Sequence, residues 1–91
     1  MPQDTRVQEI VGEAELADIR ALWAEVLDRE VVSDDTNFFE AGGDSLLLVA
    51  LVELIRESSG VAVRTIDVLR AATVRGQAEL VAAVRAGTWG T

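Results

Sequence analysis

Apolar residues recur every three or four positions in two stretches of the chain. In residues 13–27 the recurring apolar residues are Leu16, Ile19, Trp23 and Val26. In the stretch after Thr73 they are Val74, Ala78, Val81 and Val84. This spacing is typical of amphipathic helices that bury one face. It predicts a first helix over 13–27 and a last helix that is capped by Thr73 and ends at Gly87.

A third stretch, SLLLVALVELIRE at residues 45–57, predicts a helix because it is rich in leucine and lacks glycine and proline. Its expected buried stripe is Leu47, Leu51, Leu54 and Ile55. Four further apolar residues lie outside that stripe: Leu46, Leu48, Val49 and Val52. A small domain cannot bury them all, so Leu46 and Val49 are candidates for an exposed contact surface. The alternative is a central helix that is covered on every side.

Between these helices the periodicity changes. Residues 65–71 predict a short third helix, with Thr65 as its cap and both Val68 and Leu69 turned inward. Residues 28–44 show no helical period and predict a long loop held in place by its own apolar side chains. These side chains are Val31, Val32, Phe38 and Phe39, and the two phenylalanines are interpreted as core anchors. The predicted fold is all-α, with three main helices and one short one.

The chain length fits a single domain. Its 91 residues are divided into a flexible leader over 1–12, a folded domain over 13–86 and a tail over 87–91. Such a small core leaves little room for an internal cleft, so a functional surface is expected. No apolar run approaches the roughly 20 residues that span a bilayer, and no secretory signal opens the chain. We therefore expect a cytoplasmic protein without a membrane partner.

Charge and composition exclude several classes of function. The chain has 16 acidic and 8 basic residues, a formal net charge of -8 and a pI of about 4.3. A negative field of this kind disfavours binding to nucleic acid. The absence of cysteine and histidine excludes disulfides, ordinary zinc sites and an imidazole-assisted nucleophile, so no metal site is expected. We expect a monomer that catalyses nothing by itself.

The candidate site is the segment Gly42, Gly43, Asp44 and Ser45, which lies directly before the leucine-rich helix. Free N–H groups and the positive end of the helix dipole favour an anion there. Glycines also admit close approach by another molecule and backbone angles that other residues avoid. Asp and Ser are equally good helix caps, however. Spacing alone leaves Ser45 open as either a simple cap or a modified residue.

The region 34–48 resembles the carrier-protein superfamily, and within it the peptidyl carrier (thiolation) domains of nonribosomal peptide synthetases. The residues that match the family pattern are Asp35, Phe38, Phe39, Gly42, Gly43, Asp44, Ser45 and Leu46. The resemblance extends over about residues 13–86 and includes Thr73-Val74-Arg75-Gly76 at the start of the last helix. It implies a four-helix bundle of the acyl-carrier-protein type.

The resemblance also implies a function. Ser45 would receive 4'-phosphopantetheine from coenzyme A through a separate phosphopantetheinyl transferase, with Gly42, Gly43 and Asp44 around the attachment point. The arm would hold an aminoacyl or peptidyl thioester and present it to an adenylation enzyme and to condensation, tailoring or thioesterase domains. The candidate docking residues are Leu46, Val49, Phe39 and Leu69.

Three alternatives remain beside this interpretation. Asp44 stands where many peptidyl carriers have histidine and where acyl carriers commonly have aspartate, so an acyl carrier protein of a polyketide or fatty-acid pathway is the nearest alternative. A helical interaction module, with Ser45 only a cap, is the second. A hydrolase using Ser45 is the third, and the missing histidine and the absent Gly-x-Ser-x-Gly motif count against it.

Overall fold

A computed structural model describes residues 11–31 and 33–87. Over these residues the chain forms four helices and no strand: α1 (Glu13–Leu27), α2 (Ser45–Ser59), α3 (Thr65–Arg70) and α4 (Val74–Arg85). Helix α1 packs against α2 and α4, and α3 packs against the same two helices from the other side. The predicted all-α bundle with one short helix is confirmed. Helix α1 has the bounds that the apolar period predicted, whereas most of the leader and most of the tail lie outside the described residues.

The helix ends follow ordinary capping chemistry. Helix α2 runs two residues further than predicted and ends at Gly60, whose φ of 71° is left-handed. The Thr73 hydroxyl oxygen accepts a hydrogen bond from the Gly76 N–H at 2.9 Å, so Thr73 caps α4 as predicted. The prediction for Thr65 was wrong, because Arg64 is the residue before the first turn of α3 and Thr65 already lies inside it. Helix α3 ends one residue earlier than predicted.

The core contains side chains from all four helices and from the long loop. Its buried apolar members are Leu16, Ile19, Trp23, Phe38, Leu48, Leu51, Val52, Ile55, Val61, Val63, Val68, Val74, Ala78, Leu80 and Val81. On α2 the predicted stripe was partly wrong, since Leu48 and Val52 are buried while Leu47 and Leu54 are half-buried. The predicted and the observed stripes share Leu51 and Ile55, and they differ in which neighbouring positions face the core.

Helix α3 corrects a further expectation. Val68 is fully buried, but Leu69 is 39% exposed and does not turn inward. Successive residues of a helix point about 100° apart, and only one of the two neighbours of Val68 shares its inward side. Asp67 turns inward instead, where its carboxylate accepts from the Arg64 guanidinium at 2.6 Å. One short helix therefore shows one apolar side chain to the core and leaves Ile66 and Leu69 outside.

The loop between α1 and α2 is anchored by one of its two phenylalanines. Phe38 is fully buried and meets the Trp23 ring edge-on, with ring centroids 5.0 Å apart. Phe39 is 38% exposed, so its predicted role as a core anchor was wrong; it lies edge-on against Phe38 at 5.8 Å. Val31 packs partly against the core as expected, and Val32 lies outside the described residues.

Hydrogen bonds and ion pairs attach the same loop to α1 and to the start of α4. Asp34 accepts from the Arg20 guanidinium at 2.7 Å, and Asp35 accepts from the Arg75 guanidinium at 2.8 Å. The backbone adds two bonds, from the Phe38 N–H to the Ala72 carbonyl at 2.7 Å and from the Arg75 N–H to the Asp34 carbonyl at 3.0 Å. The loop is irregular, yet its course is set at several points.

Candidate functional site

The candidate site is the start of α2, where Asp44 rather than Ser45 caps the helix. The Asp44 carboxylate accepts from the Leu47 N–H at 2.9 Å, and the Asp44 carbonyl accepts from the Leu48 N–H at 2.8 Å. Ser45 is the first helical residue and its side chain is exposed. Its hydroxyl makes no hydrogen bond to any residue of 11–31 or 33–87. The capping interaction is therefore satisfied without Ser45.

The first turn of α2 also leaves backbone donors open to solvent. The N–H groups of Ser45 and Leu46 donate to none of the described residues, as expected at a helix start. These groups and the helix dipole favour a negative charge beside the Ser45 hydroxyl. The chain holds no histidine to take a proton from that hydroxyl. Chemically, the arrangement suits a hydroxyl that a second protein reaches and converts to a phosphate ester.

Gly43 has a packing role that the sequence did not reveal. A Cβ atom added there would lie 2.2 Å from Cε2 and 2.5 Å from Cδ2 of the Phe38 ring. Any side chain at this position would displace the ring from the core. The Gly43 N–H donates to the Phe38 carbonyl at 3.0 Å, which closes the loop just before the cap. The sequence feature that could have pointed to this packing role is a phenylalanine followed five residues later by a glycine.

Gly42 differs from its neighbour. Its φ of 113° lies where residues with side chains are rarely found, so the predicted need for glycine backbone freedom is confirmed here. A Cβ atom at Gly42 would meet only the Arg29 guanidinium, at 3.6 Å. Two adjacent glycines thus satisfy two separate requirements, one conformational and one steric.

Five large apolar side chains are exposed among the described residues. They are Leu46 at 80%, Val49 at 49%, Ile66 at 45%, Leu69 at 39% and Phe39 at 38%. Leu46 and Val49 are outside the core as the sequence predicted, and their role in docking stays a prediction. Ile66 was missed, although its position three residues before Leu69 places both on one face of α3.

The ion pairs near the candidate site involve the loop before α2 and do not involve the Ser45 hydroxyl. Hydrogen bonding to the Arg75 guanidinium lowers the pKa of the Asp35 carboxyl, and hydrogen bonding to Asp34 raises the pKa of Arg20. The cavity between the end of α1 and the loop, about 260 Å³ in volume, is lined by Trp23 and eight other residues that do not include Ser45. The exposed Ser45 side chain lies outside this cavity.

Comparison with known proteins gives the class of the chain. The sequence profile of the phosphopantetheine attachment site family matches residues 17–81, and the chain belongs to that family. The group that this family carries is phosphopantetheine, and its members are carrier domains that are in general non-catalytic. No helix of the described part of the chain is long and apolar enough to cross a membrane.

The relatives include large synthetases. The chain is 42% identical over 65 residues to the hybrid PKS-NRPS synthetase mpsA of Macrophomina phaseolina. The aligned region covers 69% of the chain. It is 36% identical over 76 residues, 84% of the chain, to surfactin synthase subunit 1 of Bacillus subtilis. In both cases the chain spans only 2% of the length of the relative.

Among solved structures, the fold matches BlmI, a type-II acyl-carrier-protein from Streptomyces verticillus involved in bleomycin biosynthesis. The TM-score is 0.75 and the sequence identity is 28%. The match covers 91% of this chain and 96% of BlmI. The two folds therefore match over nearly the whole length of BlmI.

Proposed function

We propose that the chain is a peptidyl carrier whose Ser45 bears 4'-phosphopantetheine and holds an aminoacyl or peptidyl thioester during nonribosomal peptide or related natural-product biosynthesis. One observation carries the proposal: Ser45 is an exposed hydroxyl that takes no part in capping α2, in a chain of the phosphopantetheine attachment family. The relatives among peptide synthetases support the peptidyl branch.

The attachment step uses Ser45 as the nucleophile. Its Oγ attacks the phosphorus that carries the pantetheine arm in coenzyme A, the new Oγ–P bond forms, and the pyrophosphate P–O bond breaks to release adenosine 3',5'-bisphosphate. The hydroxyl proton passes to a base of the phosphopantetheinyl transferase, because this chain has no histidine or cysteine. The open N–H groups of Ser45 and Leu46 would then face the phosphodiester charge.

The residues present fit this group. The first turn of α2 offers donors to a phosphate, the Asp44 carboxylate is directed to the Leu47 N–H, and no described side chain covers Ser45. When bound, the group supplies the thiol that the sequence lacks. The chain itself contributes a rigid attachment point and a tether that raises the local concentration of cargo near successive enzymes.

The partners follow from this role. They are a phosphopantetheinyl transferase, an adenylation enzyme, and condensation, tailoring or thioesterase domains. We propose that the chain acts in the cytoplasm as a monomer, without nucleic acid, metal or membrane. The exposed side chains of Leu46, Val49, Phe39 and Leu69 form the proposed docking surface, since large solvent-exposed apolar side chains are typical of partner contacts.

Mass measurement tests the attachment. The protein is incubated with coenzyme A, magnesium and a broad-specificity phosphopantetheinyl transferase, together with Ser45→Ala and the matched control Ser58→Ala, which removes another exposed hydroxyl of α2. We expect one phosphopantetheinyl group on the unmutated protein and on Ser58→Ala, and none on Ser45→Ala. An unmodified wild type, or a modified Ser45→Ala, contradicts the proposal.

An acyl carrier protein of a polyketide or fatty-acid pathway is the second candidate. It is favoured by the likeness to BlmI and by the aspartate at position 44. Loading of the modified protein separates the two. An adenylation enzyme that charges it with an amino acid supports the peptidyl carrier, whereas charging by a malonyl transferase alone assigns it to the acyl branch.

A further inference from the structure

A buried amide connects three helices of the bundle. Gln77 of α4 is fully buried, and its side-chain oxygen accepts from the Trp23 indole N–H at 2.8 Å. Its side-chain nitrogen donates to the Val68 carbonyl of α3 at 3.3 Å. Val68 lies among the last four residues of α3, where a helix leaves its carbonyls without intrahelical partners. The Gln77 side chain therefore completes the end of α3 from inside the core.

The Gln77 amide is also connected to the start of α2, through the rings of Trp23 and Phe38. Trp23, held at its N–H by Gln77, meets the Phe38 ring at 5.0 Å. The Phe38 ring in turn fills the space that the missing side chain of Gly43 leaves. Gly43 directly precedes the Asp44 cap and Ser45. A shift of the indole therefore moves the ring and the backbone that positions the reactive hydroxyl.

The glutamine contributes to stability, because an apolar residue of the same volume would leave the Trp23 indole N–H and the Val68 carbonyl buried without partners. What an amide adds is direction, because its donor and its acceptor are satisfied only when both neighbours occupy their present places. Polar contacts of this kind select one arrangement among packings of similar free energy.

We infer that Gln77 is a positioning residue: its amide holds α3 and, through Trp23 and Phe38, the start of α2 in one relative arrangement. This inference rests on the proposed function, because the elements so arranged carry Ser45 and the exposed side chains of Leu46 and Leu69. A partner that contacts both α2 and α3 would recognise that arrangement. Gln77 touches neither the partner nor the reacting atoms.

The test compares two variants of α4. Gln77→Met removes both hydrogen bonds and keeps a side chain of similar length. Val81→Ala is the control. The substitution removes buried apolar atoms from α4, and the Val81 side chain makes neither of the hydrogen bonds that connect Gln77 to Val68 and Trp23. Amide chemical shifts are recorded for both, and phosphopantetheinyl transfer is measured with each apo-protein as the varied substrate at a temperature where all are folded.

For Gln77→Met we expect displaced amide resonances in α3 and from Gly43 to Leu47, and a KM for the transferase raised roughly 2- to 30-fold at unchanged kcat. Val81→Ala should lower the melting temperature and leave KM within about twofold of wild type. Equal KM changes in the two variants, or resonance changes that stop at the residues touching position 77, would overturn the inference.

A second variant keeps the test independent of folding and of the proposed function. Trp23→Phe removes the bond from the indole to Gln77 together with part of the buried ring, and it leaves the bond from Gln77 to Val68, so it should displace the Gly43 and Ser45 amides more than those of α3. Larger displacements of the α3 amides than of the Gly43 and Ser45 amides would contradict the proposed connection. If the wild type is not modified at all, the proposed function fails, while the resonance comparison still decides whether Gln77 positions these elements.

Discussion

The loop before α2 and the first turn of α2 lie next to each other in the chain and differ in an instructive way. The loop is irregular, but Phe38 is fully buried there and several hydrogen bonds fix its backbone. The first turn of α2 is regular, but Ser45 and Leu46 are exposed to solvent. At this junction the exposed residues lie in the regular segment, and the buried anchor lies in the irregular one.

The comparison predicts that the loop anchor carries more stability than its neighbour. Phe38→Ala should lower the free energy of unfolding by about 3–5 kcal/mol, because it empties a core site against Trp23. Phe39→Ala, at a half-exposed ring, is the matched control and should cost about 1 kcal/mol. Urea unfolding measures both. Equal losses would mean that the two rings share the anchor role.

A smaller loss of stability is expected when a side chain at Gly43 fills the space beside the Phe38 ring. Gly43→Ala should cost about 1–3 kcal/mol, since its Cβ overlaps the Phe38 ring and forces repacking. The same change in a Phe38→Ala background should cost less, because the obstructing ring is absent. A double-mutant cycle gives the coupling. If the two losses simply add, the contact between Gly43 and Phe38 is not the cause.

On the outward side, Leu46→Asp should change the free energy of unfolding by less than about 0.5 kcal/mol, because the side chain is 80% exposed. An acid in the first turn of a helix is also favourable. Partner-dependent transfer should nevertheless weaken by about 1 kcal/mol or more if Leu46 docks. Leu48→Ala, two residues along and buried, is the control and should cost about 2–5 kcal/mol of stability without a specific docking defect.

A loss of helical circular dichroism in Leu46→Asp would show that this side chain contributes to the core. Transfer rates that match the unmutated protein with every partner would remove Leu46 from the docking surface.

The smallest effect concerns the ion pair that joins the loop to α4. Hydrogen bonding to Arg75 lowers the pKa of Asp35 in the folded chain. The pair therefore stabilises the fold above the unfolded pKa, and that contribution is lost as pH falls below about 4 through the folded value. Asp35→Asn should flatten this part of the stability–pH curve. Superimposable urea midpoints for both proteins across that range would contradict it.

Much of the fold could be predicted because the apolar period of α1 and the threonine cap of α4 are local signals. The buried side of α2 was harder to predict from the sequence, since Leu47 and Leu48 both fit a helical stripe and only packing in the folded bundle decides which of them is buried. Helix α3 is so short that only one of its apolar residues faces the core. Six residues are too few for the apolar period to predict whether that residue is Val68 or Leu69.

Within the site, the sequence located the segment and its exposed neighbours, while the roles of Ser45 and of the docking residues stay predictions. The steric reason for Gly43 depends on where the Phe38 ring lies, and that position is set by Trp23 from another helix. The bonds of Gln77 to Val68 and Trp23 span 9 and 54 positions. Contacts over such separations are a property of the folded chain and leave no local pattern.

The Asp44 cap has a consequence for the life cycle of the carrier. Since the fold draws no hydrogen bond from the Ser45 hydroxyl, esterifying that oxygen would break none of the described contacts, and the added phosphate charge at the start of α2 should raise the melting temperature slightly through the open N–H groups and the helix dipole. Cargo added later to the arm should leave these contacts as they are. An enzyme that must tell a charged carrier from an empty one has to examine the appended arm and its cargo directly.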